Sequence, residues 1–69
     1  MIRLQRERET RGMSKNALAA LARLPHGRCG QLENGRARPP RDSKELVRLA
    51  GVLGIADPGS LLDEVGDDA

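Results

Sequence analysis

Phenylalanine, tyrosine and tryptophan are all missing from these 69 residues. Any core must be built from Leu, Ile, Val, Ala and Met, at about 1.5–3 kcal/mol for each fully buried large aliphatic. Stacking of bases on aromatic platforms is closed to such a chain, which argues against single-stranded nucleic acid and the common RNA-binding modules. Cysteine is nearly missing too. The one thiol, Cys29, can form no intrachain disulfide, and with a single histidine it makes no zinc cluster. A reducing compartment fits. No apolar run approaches the roughly 18 residues of a membrane span, and no signal-type apolar stretch follows Met1. A cytoplasmic protein without a membrane partner, metal, cofactor or small-molecule ligand is expected.

Each half of the chain is poor in charge of one sign. Residues 1–41 carry ten Lys/Arg against three acids, a balance of +7; residues 42–69 carry two against seven, a balance of −5. A positive half joined to a negative half points to a polyanion on one side only. The length allows one small domain, which buries about 60% of its unfolded surface and is marginally stable.

What is present is helical punctuation. Residues 2–11 read as an arginine-rich first helix with Ile2 and Leu4 as its apolar contribution, and Gly12 stops it. Ser14 caps a second helix carrying Leu18, Ala19, Leu21 and Ala22. Leu24-Pro25 breaks that helix, and Pro25 suits the first turn of a third, 25–33, which ends at Asn34-Gly35. Pro39-Pro40 keeps the next stretch non-helical. Asp42 and Glu45 form a capping box for a fourth helix with Leu46, Val47, Leu49, Ala50, Val52 and Leu53 at core spacing and Gly54 as its stop. Asp57-Pro58 opens a short fifth helix with Leu61, Leu62 and Val65. The expected fold is all-α: a compact bundle of five short helices over residues 1–66, with 67–69 as a disordered acidic tail.

Catalysis has little to work with. His26 and Cys29 are three apart and share a helical face, yet no third orienting group or oxyanion site accompanies them. Cys29 fits better as a small core hydrophobe. No strand precedes the glycines, so they form no phosphate loop. A non-enzyme is expected.

Gly12-Met13-Ser14, Leu18-Ala19, Cys29 in an apolar slot and Leu32-Glu33-Asn34-Gly35 together resemble the helix-turn-helix core of the phage repressor and Cro family. The distance from Leu18 to Glu33 equals the family's spacing. "LVRLAGVLGI" and "SLLDEV" resemble its fourth and fifth helices, so the likeness covers about residues 4–65. It implies a lambda-repressor-like domain that binds double-stranded DNA as a transcription regulator, a repressor by expectation, in a bacterial or phage-encoded, nucleoid-associated setting. It also implies that Glu33 pairs with Arg8, tying the first helix to the third. The chain departs from the pattern at Arg23, where the turn usually has glycine, at Pro25 in place of a Ser/Thr cap, and at Glu7 in place of an apolar residue.

By the same resemblance, the start of the third helix and the position one turn later face base edges: His26, Gly27 and Gln31, with Arg28 beside them. Gln31 suits adenine and Arg28 suits guanine by bidentate pairs. Lys15, Asn34, Arg36, Arg38 and Arg41 are the expected phosphate contacts. Gly27 offers close approach, and tight helix packing is the expected reason for Gly30. Useful specificity calls for two units on adjacent half-sites, so a homodimer is expected on DNA, with Leu21, Leu61, Leu62 or Val65 as candidate contacts. The alternative function is a protein-interaction module, an antitoxin or adaptor, working through the acidic C-terminal half.

Overall fold

The computed structural model describes residues 1–66; the expected acidic tail, 67–69, lies outside the described residues. The chain folds into four α-helices and one 3-10 helix, without a strand among the described residues. The helices are α1 (Arg3–Thr10), α2 (Lys15–Leu21), α3 (Arg28–Glu33) and α4 (Lys44–Leu53), and the 3-10 helix is Pro58–Leu62. The expected fifth α-helix is thus a tighter turn. Asp57 does cap it, accepting from the Gly59 N–H, with Pro58 at its start. Gly59 is required there by packing: a Cβ would lie 2.9 Å from both Cβ and Nε of Arg41.

Eleven side chains form the core: Leu4, Leu18, Ala19, Ala22, Cys29, Leu32, Leu46, Leu49, Ala50, Leu53 and Leu61. On α4 the buried set repeats at 46, 49, 50 and 53, one stripe of a 3.6-residue helix. Val47 and Val52 fall off that stripe, so they are exposed and not core residues. Leu21 leaves the stripe of α2 in the same way and is 62% exposed, the most of the large apolar side chains among the described residues. Leu61, a candidate partner contact from sequence, is fully buried, because the 3-10 helix turns it against α4. Leu62 and Val65 are half-buried.

Helix ends follow local chemistry with two corrections. Gly12 closes α1 in a Schellman motif: Met13 N–H donates to the Arg8 carbonyl (3.1 Å) and Gly12 N–H to the Glu9 carbonyl (3.0 Å). Ser14 accepts from the Ala17 N–H at 3.0 Å. For α4 the cap is Ser43, accepting from Leu46 N–H, and not its neighbour Asp42. The second correction concerns α3. It begins at Arg28, not at Pro25, so the expected span 25–33 shrinks to six residues. Arg28 N–H donates to the Pro25 carbonyl at 3.1 Å, closing a turn whose third residue, Gly27, has φ +85° and ψ −7°. Those are type II turn values, which want glycine, and they precede a helix without continuing into it.

α1 has no side-chain cap. Its first N–H, on Arg3, instead donates to the Asp63 carbonyl (2.8 Å), and Val65 N–H donates to the Met1 carbonyl (2.9 Å). The returning C-terminal segment therefore satisfies a helix start that lacks a cap. Glu7 is the hinge of an ion-pair row, between Arg3 (3.2 Å) and Arg11 (2.7 Å), and Arg11 also donates to the Leu53 carbonyl at the end of α4 (2.6 Å). These bonds are why an acid stands where the related pattern has an apolar residue.

Candidate nucleic-acid interface

α2 and α3 pack against each other, and α2 also packs on α4. The turn between α2 and α3 contains Arg23 at φ +59°, the one non-glycine residue with positive φ among the described residues. Leu24 N–H donates to the Ala19 carbonyl (2.8 Å) and Arg23 N–H to the Ala20 carbonyl (3.2 Å), the Schellman pattern again. Arg23 thus occupies the left-handed position that glycine normally fills. An L-residue there costs about 1–2 kcal/mol.

The inner side of α3 is set by Cys29 and Leu32, both buried. Burial pushes the Cys29 thiol up to about 11, and the nearby Glu33 carboxylate pushes it further the same way. A thiol so shielded is a packing group, and His26 is exposed on the turn outside the helix. The two do not form a nucleophilic pair.

Glu33 anchors the far end of α3. Arg8 donates to it from Nε (2.8 Å) and Nη2 (3.0 Å), and from Nη1 to the Met13 carbonyl (2.8 Å). One arginine therefore joins α1, the start of α2 and the end of α3. The Glu33 carboxylate holds the Arg8 guanidinium above its ordinary range, against the opposing effect of burial.

The outer side of the pair carries most of the expected contact residues. Lys15 and Gln31 are exposed, and the Lys15 stem crosses α3 at Gly30. A Cβ on Gly30 would meet only Lys15 Cδ, at 3.8 Å, so tight helix packing, the expected reason for this glycine, is not the reason. His26, Arg28 and Gln31 line one hollow of about 380 Å³ together with Arg23, Glu45 and Arg48. Asn34 is exposed just after α3, its Oδ1 accepting from the Arg36 N–H (3.0 Å), which leaves its amide donors for an outside acceptor. Arg36 and Arg38 are exposed on the following segment, which Ala37 pins to the core. Arg41 stands apart from these residues: it pairs with Asp63 at 3.0 Å and packs on Gly59.

Arg28 is not a free side chain. Its Nε and Nη2 donate to both oxygens of Glu45 on α4, at 2.5 and 2.7 Å, and its Nη1 donates to Gln31 Oε1 at 3.2 Å. The mutual hydrogen bonds hold the Glu45 carboxyl below and the Arg28 guanidinium above their ordinary ranges. Sequence reading missed Glu45 and Arg48 as part of this surface. Their three-residue spacing puts both on one face of α4, but only the fold brings that face to α3.

Residues 2–64 match the family described as helix-turn-helix domain. No curated protein and no solved structure matches the chain.

Proposed function

Because the chain belongs to the helix-turn-helix domain family, we propose that it binds double-stranded DNA in a sequence-specific manner as a transcription regulator. In this reading α3 enters the major groove and α2 crosses the backbone. One observation carries it: the side of α2 and α3 opposite the core presents Lys15, Gln31 and the free donors of Asn34 together, beside the basic 36–38 segment. Gln31 meets base edges, His26 and Gly27 bring the turn close to them, and Lys15, Asn34, Arg36 and Arg38 hold phosphates. Arg41 joins them by exchanging Asp63 for a phosphate.

The finer parts of the reading are a repressor of the phage repressor and Cro type and a homodimer on paired half-sites. The dimer is supported by the short reach of one six-residue helix, which covers only a few base pairs. The protein-interaction alternative is less well supported. Of the five acids among its described residues, three are paired within the chain: Glu45 with Arg28, Asp63 with Arg41 and Glu64 with the N-terminal amine.

Labelled duplex titrated at several salt concentrations tests the reading. Four cations on phosphate (Lys15, Arg36, Arg38, Arg41) give a log–log slope of about −3.6 per subunit. A slope near zero with random duplex would remove DNA as the partner. Gln31→Ala should relax one base position while Arg38→Ala weakens all sequences alike.

A further inference from the structure

Arg23 and Arg48 come from different elements, the turn after α2 and the middle of α4, yet both line the same two hollows. One is the hollow shared with His26, Arg28 and Gln31; the other, about 300 Å³, is walled by Leu21, Ala22 and Val52. The two arginines therefore stand together on the ridge between them. Both are exposed, and among the described residues neither side chain makes a hydrogen bond or an ion pair. The one acid lining either hollow, Glu45, accepts from Arg28 with both its oxygens. Three arginines around one carboxylate leave the ridge positive. Arg23 is held there against its own backbone preference, at φ +59°. Glycine would suit that backbone; what arginine adds is the guanidinium. Strained residues gather at ligand clamps, and paired guanidinium forks are the chemistry that takes phosphate oxygens.

We propose that Arg23 and Arg48 together grip one phosphate of the DNA backbone. The inference rests on the DNA reading above and adds a hold where that reading has none. Lys15 opens α2, and Asn34, Arg36 and Arg38 follow α3, whereas Arg23 follows α2 and precedes α3. The pair sits at the opposite end of both helices from those contacts, so α3 is held against DNA from both its ends. The adjoining hollow carries His26 and Gln31, which face the bases in that reading, so a phosphate on the ridge lies beside them.

Duplex titration over a range of salt tests the proposal, with the wild type, Arg23→Gln, Arg48→Gln, the double variant and the control Arg6→Gln. Arg6 is an exposed arginine on α1, and its replacement removes the same charge as either single variant. A fifth phosphate contact steepens the wild-type slope from about −3.6 to about −4.5 per subunit. Each single variant should bind every duplex more weakly. The double variant should lose about 0.9 of slope, one phosphate's worth, and bind about eightfold more weakly at about 0.1 M salt. Arg6→Gln should keep the wild-type slope. Both side chains of the pair are exposed, so their loss leaves the core intact, and Arg23→Gly supplies the test if Arg23→Gln fails to fold. A double variant that keeps the wild-type slope, or loses about 1.8 as two separate contacts would, overturns the proposal, as does a control that loses as much as the single variants. Inorganic phosphate that raises the Tm of the wild type but not of the double variant, while their DNA slopes coincide, would give the pair to a free anion and overturn the backbone assignment. A wild-type slope near zero removes the DNA reading, and this inference falls with it.

Discussion

Arg8 and Glu33, 25 residues apart in sequence, close a two-bond fork at the edge of the core, with their side chains 10% and 4% exposed. Such a pair adds little net stability over a well-packed apolar pair, but losing one partner strands the other. Arg8→Ala and Glu33→Ala should each destabilise the fold by about 3–5 kcal/mol, while the double replacement by Met and Leu should come close to wild type. Urea unfolding of the four proteins measures this. Single variants as stable as the wild type would show that the fork is ornamental.

A second expectation concerns the turn before α3. Arg23→Gly removes the left-handed penalty of a side chain and adds the backbone freedom of glycine, a net gain of up to about 1 kcal/mol. For a domain of this size that is a rise of about 4–8 °C in Tm. Thermal unfolding followed by circular dichroism reads it, and a fall in Tm would mean that the Arg23 side chain makes up for its own strain.

Gly30 gives a third. Space for a methyl group exists, so Gly30→Ala should stabilise the fold by about 0.5–1 kcal/mol through helix propensity alone. If the glycine serves close approach to DNA, affinity should drop in the same variant. Stability and affinity moving together would leave the glycine without a binding role.

The ion pairs set a pH dependence. Hydrogen bonds from Arg11 and Arg28 hold the Glu7 and Glu45 carboxyls below their ordinary range. The unfolded chain therefore binds protons first as pH falls. Their stabilisation is complete above an ordinary glutamate value of about 4.3 and is lost as pH drops through the lower folded values. Melting temperatures should stay level from pH 7 to about 5 and decline below about 4. Glu7→Gln should flatten part of that decline.

Cys29 supplies a kinetic test. Fully buried and with its thiol pushed up to about 11, it should resist aromatic disulfide reagents at neutral pH. Labelling should proceed only as fast as the fold opens, and urea should accelerate it in step with unfolding. Prompt labelling in buffer would place Cys29 nearer the surface.

Much of this fold was legible because single residues carry local chemistry. Ser14, Gly12, Gly54 and Asp57-Pro58 act on backbone groups within a few residues of themselves, and each stands at the boundary that it marks. Reading failed where two local signals competed. Pro25 signals a helix start, but Gly27 two residues later turns the chain into the left-handed region and delays it. Asp42 and Ser43 can both cap, and only the path of the chain chooses Ser43. It failed again where tertiary geometry decides. Nothing in the spacing of Arg28 and Glu45 says that α4 brings them together, so the arginine that looked most like a reader is held by its own chain.

α3 is six residues long, and among the described residues no α-helix exceeds ten. Isolated helices shorter than about 12–15 residues are marginal in water. The surface offered to DNA therefore has no existence apart from the whole domain: there is no pre-formed recognition helix that could bind while the remainder is loose. Heating, acid or a lost Arg8 should extinguish DNA affinity along the same curve that they extinguish helicity, so that occupancy of a site becomes a direct gauge of folding.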